Sequence, residues 1–262
     1  MIIDSHQHVL KDIEEQRQLN LKSGIDKVVL FPTIVHPEVA SNFRELVLEL
    51  GTLRKVLNGE INPIEARIKS IEELVIAIKK FPELFIGFAS CPLGLNYNET
   101  GDWIEKLIIQ NNLHGIGELT FGPGNASLAE NIFKYLYDSK KALPIWIHTF
   151  NPLAYEDIRE IVRLSEKYSS VDLILGHGGG SFWLETLEIV KQKRNIYIDL
   201  SATFTTLSIQ YFAKEIPDRC LFSSDLPYGD PYLGVQQMKY IVKDTEVLNN
   251  ILGNNINRLL SK

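Results

Sequence analysis

The sequence predicts an α/β protein that forms a single (β/α)8 TIM barrel, and the prediction rests on chain length and on the spacing of apolar segments. Eight short, nearly continuous apolar runs begin near residues 2, 26, 84, 114, 143, 172, 195 and 219. Runs of this kind suit strands that are buried on both faces, as in a parallel sheet. Eight strands that alternate with helices form a closed barrel of about 250 residues, and the chain has 262.

Amphipathic segments lie between the apolar runs and after the last one, as a barrel of this kind requires. In one of them, Ile158 and Ile161 share a helical face and Arg159 lies elsewhere. Ser127 and Glu130 have the spacing of a capping box, which predicts a helix start at that point. The predicted helices cover Asn42–Leu57, Ile68–Lys80, Trp103–Asn111, Leu128–Lys141, Tyr155–Tyr168, Trp183–Gln192, Leu207–Glu215 and Tyr232–Lys243.

The interval between the second and third predicted strands is longer than the others. Their starts at 26 and 84 lie 58 residues apart, whereas other neighbouring starts lie 23–30 residues apart. Residues 32–82 are therefore interpreted as an insertion with its own helix over Asn42–Leu57. Loops that follow barrel strands build the active-site face, so the insertion either closes over the site as a lid or decorates the surface.

Composition narrows the classes of partner. The chain carries 27 Lys and Arg against 33 Asp and Glu, a net charge of −6, which argues against a nucleic-acid partner. No apolar run reaches the length of about 18 residues that a membrane helix needs, and no secretory signal is visible. We therefore expect a cytoplasmic protein that acts on a small molecule, with a homo-oligomer left open. Cys91 and Cys220 lie in apolar runs and are expected to be buried free thiols.

Polar residues fall at the carboxyl ends of the predicted strands, which converge on one mouth in a barrel. Four of the six histidines and two acids share this placement. They are His6, His8, Glu118, His148, His177 and Asp225.

His6 and His8 form a His-x-His pair, and residues two apart on a strand point to the same side. Asp4 lies on that side too and is expected to orient a ligand. Together with the other strand-end residues, the pair provides the nitrogen and oxygen ligands of a catalytic zinc site. Other divalent ions such as Mn²⁺ or Fe²⁺ accept the same ligands. The sequence therefore predicts one or two divalent metal ions, with Zn²⁺ the first choice.

The chain resembles the amidohydrolase superfamily, in particular its amidohydrolase-related (amidohydrolase 2) branch of small metal-dependent hydrolases and decarboxylases. The resemblance runs in the correct order over nearly the whole chain, and residues 251–260 resemble the closing helix of that branch. The matching motifs are Ile3-Asp4-Ser5-His6-Gln7-His8, Trp146-Ile147-His148, Leu175-Gly176-His177-Gly178-Gly179 and Phe222-Ser223-Ser224-Asp225-Leu226-Pro227.

The resemblance implies a role for each matching residue. His6 and His8 would bind the first metal, with Asp225 as a further ligand. His148 would bind the metal too, and serves the second ion in two-metal members. His177 would bind the second ion there, or act on the substrate as acid or base in one-metal members.

Glu118 replaces the carboxylated lysine that many relatives place at the end of the fourth strand. Gly117-Glu118 resembles the Gly-Glu motif of the deoxyribonuclease-like branch, which implies that Glu118 bridges two metals. The alternative is that Glu118 only orients His148 or a water molecule.

These residues predict hydrolysis of an amide, lactone or ester of a small molecule. A divalent ion lowers the pKa of water from about 15.7 to about 7, and Asp225 is predicted to act as general base. His177 is predicted to polarise the scissile carbonyl. A decarboxylase of a small unsaturated or aromatic acid is the alternative, in which His177 helps to protonate carbon. A non-catalytic binding barrel and a nuclease are disfavoured by the metal-type residues and by the acidic charge, respectively.

Several further residues are assigned by position. Tyr228, Phe121 and His36 are predicted to contact substrate, because they lie in loops at the mouth or in the insertion. Asp199 and Ser201 end the seventh strand and are expected to orient neighbours. The run Gly178-Gly179-Gly180-Ser181 is interpreted as a tight strand-to-helix turn.

Overall fold

A computed structural model describes residues 1–52, 55 and 60–262. Eight parallel strands lie in the order β1 to β8, as the sequence predicts. The strands are β1 (Ile3–His8), β2 (Lys27–Phe31), β3 (Phe85–Ala89), β4 (Gly115–Leu119), β5 (Ile145–His148), β6 (Leu173–Gly176), β7 (Ile196–Asp199) and β8 (Cys220–Leu221). Each begins within two residues of its predicted start.

The barrel closes where the last strand meets the first. The amide of Ser5 donates to the carbonyl of Phe222, and the amide of Asp225 donates to the carbonyl of His6, both at 2.9 Å. A further bridge joins Gln7 to Leu226. These bonds carry the pairing beyond the short β8 and bring the segment around Asp225 beside the two histidines of β1.

Helices surround the barrel. They are α1 (Ile13–Ser23), α2 (Phe43–Leu50), α3 (Pro63–Lys80), α4 (Tyr97–Trp103), α5 (Glu130–Ser139), α6 (Tyr155–Lys167), α7 (Trp183–Val190), α8 (Thr206–Glu215), α9 (Pro231–Ile241), α10 (Thr245–Asn249) and α11 (Asn255–Leu260). No helix within the described ranges is long and apolar enough to cross a membrane.

The insertion holds a 3₁₀ turn at Pro37–Val39 and the helix α2. Residues 53, 54, 56 and 57 of the helix predicted over Asn42–Leu57 lie outside the described residues. The helix α3 has a buried face at Ser70, Ile71, Leu74 and Ala77. Its side chains pack against β3, because Gly87 leaves room for Ile78 and Leu74. This helix therefore covers the barrel wall between β2 and β3.

Three helix starts differ from the predictions. The helix predicted over Ile68–Lys80 begins five residues earlier, at Pro63, where Asn62 caps it. The capping box at Ser127 and Glu130 is wrong: residues 126–129 form a 3₁₀ turn, and α5 begins at Glu130 without a side-chain cap. The helix predicted over Trp103–Asn111 begins earlier, as α4 at Tyr97. Asn96 and Glu99 form a capping box there, and the helix continues as π and 3₁₀ turns to Asn111.

Two apolar clusters stabilise the barrel. One fills the space between the strands and the helices. The other lies inside the barrel and takes a side chain from nearly every strand. Its members are Ile3, Val29, Phe31, Phe88, Trp146, Ile174, Tyr197, Leu221, Ile256 and Leu259. Cys91 and Cys220 are buried free thiols, as expected, and burial raises the pKa of Cys91 to about 12.

Glycine makes room for the large rings inside the barrel. A Cβ atom on Gly176 would lie 2.1 Å from the Trp146 ring, and Trp146 is fully buried. We predict that Gly176→Ala lowers the free energy of unfolding by about 1–3 kcal/mol, the usual cost of overpacking. Urea denaturation measures this, with Gly122→Ala as control, since its new methyl would meet nothing closer than 3.6 Å. Equal effects of the two substitutions would contradict the packing argument.

Candidate metal centre

All six predicted ligand residues meet at the mouth of the barrel, where the carboxyl ends of the strands converge. The side chains come from the ends of β1, β4, β5, β6 and β8. Each of the six is buried or nearly so. They are His6, His8, Glu118, His148, His177 and Asp225.

A first group forms around the two histidines of β1. Oδ1 of Asp225 lies 3.4 Å from Nε2 of His8 and 3.8 Å from Nε2 of His6. Oε2 of Glu118 lies 3.6 Å and 3.8 Å from the same two nitrogens. Four ligand atoms thus face one another across a small space at the end of β1.

A second group shares Glu118 with the first. Its other oxygen, Oε1, lies 2.9 Å from Nδ1 of His148. The rings of His148 and His177 are 4.8 Å apart, and ligand atoms of Glu118, His148 and His177 lie within 4.8 Å of one another. Glu118 therefore faces the first group with one oxygen and the second with the other.

The donor set fits a divalent cation. Both ring nitrogens of the fully buried His6, and Nδ1 of His8, have no hydrogen-bond partner among the described residues. Buried polar nitrogens are normally satisfied. Zinc ligands lie about 2.0–2.2 Å from the ion, so separations of 3.4–3.8 Å between ligand atoms leave room for one between them. Histidine and carboxylate groups are also the ligands that such ions prefer.

Asp199 supports the first group from inside the barrel. Its Oδ2 lies 3.7 Å from Nδ1 of His6 and accepts hydrogen bonds from Trp146 at 3.2 Å and Ser223 at 2.6 Å. Its Oδ1 accepts from the amide of Ser201 at 2.8 Å. The carboxylate is fully buried, faces the ring of His6 from behind and fixes Ser201, which agrees with the expected role of orienting neighbours.

Asp4 acts on the backbone rather than on a ligand ring. Its carboxylate accepts from the amides of His6 at 3.2 Å and Ser224 at 3.0 Å, and from the side chain of Gln7 at 2.8 Å. Asp4 thus acts on the predicted ligand His6 through its backbone amide. The register of β1 is irregular between Asp4 and Gln7.

Neighbouring charges in the site shift the pKa values of His8, His148 and Glu118. Burial alone would lower the pKa of His8, but its hydrogen bond with Asp225 and the charge of Glu118 raise it. His148 behaves likewise, because its hydrogen bond with Glu118 outweighs burial. Burial would raise the pKa of Glu118, yet His148, His6 and His8 hold it far below the usual range. A metal ion must displace protons from such histidines, so metal affinity is expected to rise with pH.

The loop after β6 positions His177. Gly178, Gly179 and Gly180 have φ values of 58°, 81° and 55°, a left-handed region that glycine adopts without strain. The interpretation of this run as a tight turn agrees with the structure. His177 itself is buried, and its Nδ1 lies 3.0 Å from the hydroxyl of Ser201. The hydroxyl of Ser201 fixes the ring of His177, and the other side of this ring faces the ring of His148.

The three predicted substrate contacts lie in different surroundings. The ring of Tyr228 is 5.9 Å from that of His8, and Tyr228 is 56% exposed, so it stands at the rim of the metal centre. Phe121 is half-buried and packs on the apolar layer outside the strands. His36 is buried against Glu38 and lines a separate cavity of about 340 Å³ beside α3. Contact of these residues with substrate stays a prediction.

Fold and site together define the chain as a TIM barrel with a candidate two-part metal centre at its mouth. A family model described as Amidohydrolase matches residues 74–262, and the chain belongs to that amidohydrolase family. The comparison with curated proteins gave no match.

Solved structures with the same fold cover nearly the whole chain. A 2,6-dihydroxybenzoate decarboxylase in complex with 2,6-dihydroxybenzoate has a TM-score of 0.71 and 14% identity over 100% of this chain and 99% of that one. A dihydroxybenzoic acid decarboxylase from Polaromonas sp. JS666, with manganese and 2-nitroresorcinol bound, scores 0.69 with 15% identity over 99% and 96%. The 4-oxalomesaconate hydratase of Rhodopseudomonas palustris scores 0.66 with 16% identity over 100% and 96%. At these identities the likeness establishes the fold.

Proposed function

We propose that the protein is a metal-dependent hydrolase that holds two divalent ions and cleaves an amide, lactone or ester bond of a small molecule. The observation that carries the proposal is the position of Glu118. One oxygen of this carboxylate faces His6 and His8, and the other faces His148. A carboxylate between two histidine groups suits a bridge between two ions.

The residues of the site would form two metal-binding groups. His6, His8, Glu118 and Asp225 would hold one ion, and Glu118, His148 and His177 the other. When bound, such ions lower the pKa of water to about 7 and polarise a carbonyl.

The proton of the attacking water passes to Asp225, which stands at the mouth 3.4 Å from His8. Asp225 then returns that proton to the leaving group. Burial would raise the pKa of Asp225, but the neighbouring His6 and His8 hold it below its ordinary value, so the carboxylate is ionised and ready to accept a proton. His177, held by Ser201, is placed to orient the carbonyl of the substrate.

A decarboxylase is the second candidate, and the fold likeness to dihydroxybenzoate decarboxylases favours it. In that reaction the carbon–carbon bond to a carboxylate breaks, carbon dioxide leaves, and His177 supplies a proton to the carbon. The same six residues could serve this chemistry, and the shared fold alone does not separate the two reactions.

The experiment that tests the proposal compares two product assays on the purified protein loaded with Zn²⁺ or Mn²⁺. We expect acid release from a panel of lactones, p-nitrophenyl esters and anilides, and loss of that release on treatment with EDTA. The variant His114→Ala should release acid as wild type does, because His114 precedes β4 at the end of the barrel opposite the metal centre. Carbon dioxide release from 2,6-dihydroxybenzoate or unsaturated acids, without acid release from the panel, would establish the decarboxylase instead.

A further inference from the structure

Arg67 is a partly buried cation for which the described residues provide no acidic partner. It lies in the second turn of α3, and its Nε donates to the hydroxyl of Ser90 at 3.0 Å. No carboxylate lies within 4.0 Å of its guanidinium among the described residues, and none of the residues outside them is acidic. Burial lowers the pKa of Arg67, yet neither of its terminal nitrogens is among the buried atoms that lack a hydrogen-bond partner, so both stay open to an anionic ligand.

Ser90 places this guanidinium at the mouth of the barrel. It directly follows β3, two residues after Phe88, which lies inside the barrel. Alternate residues of a strand share a face, so Ser90 faces the interior at the carboxyl end of β3. Arg67, on α3, donates to that hydroxyl, so its guanidinium lies at the carboxyl end of β3.

The strand register brings this point close to the metal centre. Phe88 pairs with Gly115 and Ala89 with Ile116, so the continued register sets Ser90 beside Gly117, the neighbour of Glu118. Rings connect the same region to the first ligand group: Phe88 lies 5.3 Å from Phe31, which lies 4.7 Å from His6.

We propose that Arg67 binds a carboxylate of the substrate, and that the enzyme therefore selects anionic esters, lactones or amides. This inference rests on the proposed function of the metal centre. Within the described residues, Nε is the one guanidinium nitrogen with a hydrogen bond. The two terminal nitrogens form the fork that matches a carboxylate in a bidentate pair. The carboxylate of the substrate would supply the anion that the protein does not.

The test measures binding to the Mn²⁺-loaded protein by titration calorimetry and needs no turnover. Each diacid from malonate to adipate is compared with the monocarboxylic acid of the same carbon number, propionate to hexanoate. The metal can accept one carboxylate of either ligand, whereas Arg67 can bind only the second carboxylate of a diacid. We expect at least one diacid to bind wild type 10-fold or more tightly than its partner acid.

Arg67→Met should abolish that preference, and Arg67→Lys should retain part of it. The control Arg194→Met removes an arginine whose side chain is 85% exposed at the other end of the barrel, and should leave the preference intact. The proposal is overturned if no diacid is preferred by wild type, or if the preference survives in Arg67→Met. Circular dichroism checks the fold, and Arg67→Gln replaces Arg67→Met if the latter misfolds. A failed hydrolase assay would leave these binding results unaffected, so the two proposals fail separately.

Discussion

Asp225→Asn is expected to lower kcat by about 10²–10⁴-fold, the usual contribution of a general acid–base group. The substitution keeps the shape of the side chain and removes its basicity. The backbone of residue 225 stays held by its bonds to His6 and Tyr228, so the fold should be unchanged. The effect should appear mainly in kcat rather than KM, because proton transfer takes place in the transition state.

The measurement is steady-state hydrolysis of the best substrate from the panel, with metal content determined in parallel. Asp102→Asn is the matched control, because Asp102 is exposed on α4 and pairs with Lys106 on the helix surface at 3.5 Å. If Asp225→Asn retained its metal and at least a tenth of wild-type kcat, Asp225 could not be the general base.

Glu118→Ala is expected to reduce the bound metal from two equivalents to one and to lower kcat/KM by at least about 10²-fold. The reason is that Glu118 is the residue common to both ligand groups. His6, His8 and Asp225 remain to hold the first ion. The second group keeps His148 and His177 but loses its carboxylate.

Metal analysis after dialysis, followed by titration with Zn²⁺ or Mn²⁺, measures the stoichiometry. Glu83→Ala serves as the control, since Glu83 is exposed in the loop before β3. Glu118→Gln keeps one carbonyl oxygen, so its metal stoichiometry should lie between those of wild type and Glu118→Ala. Unchanged stoichiometry in Glu118→Ala would mean that Glu118 only orients His148 or a water molecule.

The strands were predictable because parallel barrel strands are apolar on both faces and are bounded by polar loops. All eight begin within two residues of the expected positions. Helix starts were less predictable, since several capping patterns compete along the chain. Ser127 and Glu130 have the spacing of a capping box, yet residues 126–129 adopt a 3₁₀ turn. The capping box that does form, at Asn96 and Glu99, precedes Gly101 in a segment whose helical pattern is weaker.

The candidate ligands were predictable for the same topological reason. Once the strands are located, the residues that follow them must meet at one mouth, and six metal-type residues do. The residues that support them were harder to assign. Asp199 comes from the end of β7 and lies 3.7 Å from the ring of His6, and Asp4 accepts from the backbone amides of His6 and Ser224. Arg67 gave no signal in the sequence, because an arginine in an amphipathic helix is usually exposed.

The sequence by itself determined the barrel, the order of its strands and the set of histidines and acids at their carboxyl ends. These features follow from local hydrophobicity and from the one way in which eight βα units can close. Only the tertiary structure decided how those residues are grouped. It gave Glu118 one oxygen toward each histidine group, set Asp199 behind His6 and brought Arg67 to the rim at Ser90. Such pairings depend on side-chain direction across distant parts of the chain, which no local pattern specifies.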